Sequence, residues 1–136
     1  MGIMLAKDAL NARYSIFAFN KYPKRVNFGS RRLKLVGLKH LIQRSDIIAV
    51  AVPLNDAPKV LERVKTLVNV EKHPFVFDIA TIKKGLEEIY REFPENVMVA
   101  SAHRMFGPGA GTLKEEKYLF FQLRVEKEEH IHLKNF

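Results

Sequence analysis

A chain of 136 residues, 47% hydrophobic and 28% charged, is long enough to form one domain with a buried core and too apolar for disorder to be the default. The absence of cysteine excludes disulfides, thiolate chemistry and cysteine-ligated metals, and the five histidines are scattered, so no metal site is proposed. No stretch approaches the roughly 20 apolar residues of a membrane span and the start lacks a signal-peptide core, so a cytoplasmic protein is expected.

The net charge of +8 raises nucleic acid as a partner, but its distribution argues against one. Lys21, Lys24, Arg25, Arg31, Arg32 and Lys34 gather in one early segment, whereas residues 86–95 and 115–129 are mixed or acidic. A nucleic-acid binder usually shows a basic face on a recognisable module, and none is readable here.

Residues 2–13 place Ile3, Leu5, Ala6, Ala9 and Leu10 near one helical stripe, which predicts a short amphipathic helix. Ser15–Phe19 reads as a strand, the basic loop 20–32 follows, and Arg32–Val36 forms a short strand before a helical turn at Leu38–Arg44. Asp46–Val52 is a continuous apolar run that suits a parallel strand covered on both faces, and Pro53 ends it. Ala57, Val60, Leu61, Val64, Leu67 and Val68 then form one face of a helix that Asn55 or Asp56 can cap. Pro74–Ile79 is a second buried strand. Thr81–Phe93 is a helix with Leu86, Ile89, Tyr90 and Phe93 inward, and Pro94 stops it. Strand 97–101 and strand Tyr118–Val125 close the series. This alternation predicts a single α/β domain over residues 1–136, Rossmann-like, with a mostly parallel sheet and helices on both faces.

Val97–Ala100 runs into a segment where Gly107, Pro108, Gly109 and Gly111 forbid regular structure, which places His103 just past a strand end. Ligands of open α/β sheets sit outside the carboxyl ends of the strands, so a histidine there, titratable near neutral pH, is well placed for proton transfer. The competing assignment is a surface residue or local hydrogen-bonding group of the loop.

The string His103-Arg-Met-Phe-Gly-Pro-Gly109 resembles the His-Pro-Met-Phe-Gly-Pro signature of prephenate and arogenate dehydrogenases, the NAD(P)-dependent oxidoreductases of tyrosine biosynthesis. Arg104 stands where that family has proline, so one backbone angle that proline would set is left free. Ser45–Leu54 resembles the family's fourth strand and its exit along the cofactor, and Asp78-Ile-Ala-Thr-Ile-Lys83 resembles its Asp-x-x-Ser-Val-Lys stretch. The resemblance implies that His103 takes the proton of the ring hydroxyl of prephenate while hydride leaves for the nicotinamide and carbon dioxide is lost. It also implies that Thr81 contacts substrate and nicotinamide, although from its residue type alone Thr81 reads as an ordinary helix cap. Arg104 and Gly107 are further substrate-side candidates.

On the cofactor side, the resemblance places Val52, Pro53 and Leu54 along the dinucleotide, and Gly2 where the last glycine of a Gly-x-Gly-x-x-Gly turn would fall. The first strand and first two glycines of that motif do not precede it, either because that strand was lost or because the true start lies upstream. Asn20, Lys21, Lys24 and Arg25 stand where an acidic residue would bind the ribose 2′-hydroxyl, so NADP is expected over NAD. Without the first strand, strand 15–19 must pair with strand 46–52 or the two edges must be filled by another chain. A homodimer is therefore expected, with Tyr118–Val125 as the partner surface. The family's helical domain, which supplies dimer contacts and a substrate-binding arginine, is not recognisable either, so little prephenate dehydrogenase activity is expected of this chain alone. The alternative is a Rossmann-like binding or assembly module without catalysis.

Overall fold

The computed structural model describes residues 2–22, 29–80, 85–104 and 118–122, the backbone alone being described at 103–104 and 118–122. Helix α1 (Gly2–Asn11) leads to strand β1 (Ile16–Ala18), then β2 (Leu33–Leu35), α2 (Leu38–Arg44), β3 (Ile47–Val50), α3 (Ala57–Leu67), β4 (Phe75–Asp78), α4 (Leu86–Arg91), β5 (Met98–Arg104) and β6 (Tyr118–Gln122). A single 3₁₀ turn spans Val70–Lys72. Helices and parallel strands alternate as the period of the apolar residues dictates, giving a Rossmann-like α/β fold.

The strands form two sheets, one of order β1-β2 and one of order β3-β4-β5-β6. All pairs are parallel except β5 with β6, which is antiparallel. Of the two expected alternatives, the pairing of strand 15–19 with strand 46–52 is not formed among the described residues, where β1 pairs with β2 through Ile16–Leu33 and Ala18–Leu35. Helix α1 packs against β1, and its first residue reaches the exit of β3, so the first helix touches both sheets although no ladder joins them.

One face of the larger sheet carries the core. Ile48, Val50, Val76 and Val99 point to this face, where Ala57, Leu61 and Val64 of α3, Leu86, Ile89 and Tyr90 of α4, and Ile42 of α2 cover them. Full burial of a side chain such as Leu61 contributes about 1.5–3 kcal/mol. The described residues of the other face are less buried than the continuous apolar run of 46–52 suggests. Ile47, Phe75 and Met98 stand in one row across β3, β4 and β5, and Ile47 and Met98 are each 59% exposed. The run is apolar on both faces, yet the helices after β3 and β4 return over the same one.

Several boundaries move for local reasons. Arg13 takes a left-handed conformation (φ 66°) and ends α1 short of residue 13, and of the predicted stripe only Leu10 is buried while Ile3 is exposed. Asp56 occupies the position before α3, but its side chain makes no capping bond; the Pro53 carbonyl accepts from the Asp56 and Ala57 amides instead. Helix α4 begins at Leu86, after Gly85 at φ 85°, and the predicted start of this helix at Thr81 lies outside the described residues. Strand β5 continues to Arg104, so His103 lies inside a strand, paired with Leu119 of β6, and not beyond its end. Antiparallel pairing supplies backbone partners that the sequence window around Val97–Ala100 does not reveal.

Candidate functional site

A helix that feeds the strand it packs against runs antiparallel to it, so the amino end of α1 lies at the carboxyl end of β1. There it meets the exit of β3: a side chain at Gly2 would bring its Cβ within 3.2 Å of the Ala51 Cβ and 3.8 Å of the Ala51 carbonyl oxygen. The absence of a side chain is what lets helix and strand approach this closely, which is the packing role of the last glycine in a dinucleotide turn. Val52, Pro53 and Leu54 follow at once, with Val52 half-buried and Pro53 and Leu54 exposed. The structure therefore brings Gly2 and the β3 exit together.

At the end of β1 the chain turns on Asn20, whose Oδ1 accepts a hydrogen bond from the Tyr22 amide at 2.8 Å. Asparagine and aspartate are suited to such a turn because the short side chain substitutes for a backbone acceptor. Lys21 is exposed, with Nζ 5.8 Å from the centre of the Tyr22 ring, and Arg31, Arg32 and Lys34 are exposed on the return to β2. No acidic residue occurs between Ile16 and Leu35. Lys24 and Arg25, the other two cations assigned to this site, lie outside the described residues, as do Thr81 and Gly107.

Strand β4 ends beside the middle of β5, which runs on for three residues. Their shared register runs Val76–Val99, Phe77–Ala100 and Asp78–Ser101, so His103 and Arg104 follow on the strand next to the one that leads toward Thr81. The row Ile48–Val76–Val99 is apolar; two positions on, the row Val50–Asp78–Ser101 turns polar. Asp78 is fully buried and accepts from the Ala80 amide at 2.6 Å, the Tyr90 hydroxyl at 2.6 Å and the Ser101 hydroxyl at 2.5 Å. Burial, with the bond to Asp78 and its charge, holds the Tyr90 phenol far above the usual tyrosine range. Sequence reasoning quoted Asp78 within a motif but gave it no role; the signal was an acid closing an apolar strand.

Among the described residues no three His, Cys, Asp or Glu side chains gather as a metal site, and no helix is long and apolar enough to cross a membrane. A family profile described as prephenate dehydrogenase, nucleotide-binding domain, matches residues 33–125, more than half of the chain. No curated protein sequence matches. The matched span begins at β2 and takes in β3, the Asp78 network and the whole of β5 and β6.

Proposed function

The chain belongs to the family of prephenate dehydrogenase nucleotide-binding domains, and on that premise we propose that it is the NAD(P)-binding part of an oxidoreductase acting on prephenate or arogenate. The observation that carries the reading is the shared register of β4 and β5, which puts Asp78, the start of one motif segment of the resemblance, beside Ser101, two residues before His103, the start of the other. The residues present fit a dinucleotide: a helix start without a side chain beside the β3 exit, and a β1 exit that is cationic and lacks an acid.

The cofactor, when bound, supplies the hydride acceptor. The work of the chain's own residues is then positional and protolytic. Gly2 and Val52–Leu54 flank the dinucleotide, and Asn20, Lys21, Lys24 and Arg25 meet its ribose, the cations favouring a 2′-phosphate. His103 accepts the proton of the ring hydroxyl as that carbon becomes a carbonyl, which an unprotonated imidazole can do near neutral pH. Thr81 offers a hydroxyl to the substrate, the backbone at Gly107 approaches it, and Arg104 pairs with a carboxylate through two parallel hydrogen bonds.

A second reading is an assembly module without catalysis, and the exposed apolar row of Ile47 and Met98 beside the unjoined β1 and β3 favours it. One experiment separates the two. Calorimetry with NADP and NAD is followed by prephenate- and arogenate-dependent NAD(P)H formation, with His103→Asn run beside the unaltered chain. Binding with turnover that disappears in His103→Asn supports the oxidoreductase. Binding without turnover is the outcome expected of a nucleotide-binding part on its own and also supports the first reading, whereas no binding of either nucleotide refutes both cofactor assignments and supports the assembly module.

A further inference from the structure

Asp78 is an expensive residue to place where it is. Taking a carboxylate out of water costs several kcal/mol, and replacing such buried polar groups by apolar residues of similar size is often neutral or stabilising. The neighbouring positions of the same sheet face, Val50, Val76 and Val99, are filled by valine. A fold that needed only cohesion would continue that pattern.

Three donors among the described residues show what the Asp78 carboxylate does instead. Oδ1 takes the amide of Ala80, the residue immediately before Thr81. Oδ2 takes the hydroxyl of Ser101, two residues before His103 on β5, and the hydroxyl of Tyr90 on α4. One side chain thus ties the exit of β4, the middle of β5 and the helix behind them. We propose that Asp78 is a positioning residue, a buried latch that sets the relation between the segment leading to Thr81 and the strand carrying His103. The inference rests on the proposed function for its consequence in catalysis, but the latch itself is a property of the free chain.

The polar row explains why the latch sits at this level of the sheet. Backbone register aligns β4 with β5 through Asp78–Ser101; beyond it β5 goes on to pair with β6, while the β4 exit keeps a backbone bond from the Ile79 amide to the Val50 carbonyl. An acceptor at the last paired position is the nearest place from which a side chain can hold the departing backbone, and a carboxylate offers enough lone pairs for three donors at once. Tyr90 stacks on Phe93 and is itself almost fully buried, so the α4 side of the latch is rigid.

The test uses the whole chain with Asp78→Val, Asp78→Asn and Ser101→Ala. Native-state amide exchange is read at Ala80 and at residues 101–103, and the change at Ile48 and Val76 is subtracted as the global component. Asp78→Val is expected to fold, with Ala80 and residues 101–103 exchanging at least about tenfold faster than the global change accounts for. Asp78→Asn, which keeps one carbonyl acceptor for Ala80, is expected to restore most of the protection at Ala80. Ser101→Ala is expected to release residues 101–103 and leave Ala80 protected; it also decides the matter if Asp78→Val does not fold. Uniform exchange changes, with no local excess in any variant, would overturn the latch.

Nucleotide affinity and turnover are measured on the same samples. The latch predicts a kcat lowered by about tenfold or more with the nucleotide Kd within about threefold, a split that loss of stability alone does not produce. If the unaltered chain binds nucleotide without turnover, or binds none, the exchange data alone decide the latch, and the absence of binding also defeats the proposed function. Turnover that survives Asp78→Val at an unchanged kcat overturns the positioning role and leaves the proposed function standing.

Discussion

The exchange of Asn20 for aspartate tests the cofactor assignment at its most exposed point. Asn20 lies at the exit of β1 and its Oδ1 accepts from the Tyr22 amide at 2.8 Å, an acceptor that aspartate retains, so Asn20→Asp adds a charge without undoing the turn. A phosphate monoester carries about −1.5 to −2 charge, and a carboxylate about 6 Å from it in water repels it by about 1 kcal/mol, roughly halved by physiological salt. The same carboxylate accepts a ribose 2′-hydroxyl of NAD in a charge-assisted bond of about 1.5–3 kcal/mol. Together these terms move the preference toward NAD by about 2–4 kcal/mol, roughly 30- to 700-fold in the ratio of dissociation constants. Lys21 remains beside the new charge and draws the outcome toward the lower figure. Calorimetric titration of both proteins with NADP and NAD at 0.15 M salt, about an 8 Å Debye length, reads the ratio directly. A ratio that stays within about threefold, or tighter NAD than NADP binding by the unaltered chain, refutes the assignment of this exit to the 2′-phosphate.

Gly2→Val forces a branched side chain into the 3.2 Å approach to Ala51; displacement of the start of α1 is expected to cost about 1–3 kcal/mol and to weaken nucleotide binding, and an unchanged Kd by calorimetry counts against the Gly2 site. The Tyr90 phenol has a folded pKa raised above its unfolded value of about 10, so its contribution to stability is full below pH 10 and falls as pH rises beyond that. Denaturant unfolding from pH 8 to 11 should show a decline that Tyr90→Phe reduces; equal declines in both proteins would show that Tyr90 is not the group responsible. Self-association is expected, because Ile47 and Met98 leave an apolar row uncovered and β6 ends the described sheet; a monomeric mass by light scattering at micromolar concentration would contradict it.

The described strands and α-helices have the types and order that the sequence predicts, since residues such as Ala57, Leu61 and Val64 recur at helical spacing and Ile48 and Val50 at strand spacing. What escaped was non-local. The extension of β5 through His103 depends on a strand that follows after a long intervening segment, and the pairing of β1 with β2 alone depends on which edges meet. Gly85 was legible as a glycine but not as a left-handed one. The Asp78 latch joins residues 23 positions apart, a distance across which no local pattern speaks, although a lone acid after Phe75-Val-Phe77 marks the place.

The strand order, β2-β1 in one sheet and β3-β4-β5-β6 in the other, has the sequence of a dinucleotide fold with a break between β1 and β3. Among the described residues backbone ladders stop at that break, and the sheets are linked by the packing of α1, which rests on β1 and abuts Ala51, and by the edge-on contact of Phe17 of β1 with His40 of α2. A ligand seated at the start of α1 would therefore bind across the break, and its binding energy would be shared by both sheets. At a nucleotide concentration of 100 Kd the stabilisation is about 2.7 kcal/mol, which corresponds to roughly a hundredfold slower exchange at amides released by opening of the bound state. If α1 couples the sheets, the amides of Ile16–Ala18 should slow by the same factor as those of Ile47–Val50. Protection confined to β3, β4 and β5 would instead show that the smaller sheet opens independently of the bound nucleotide, and that α1 follows β3 alone.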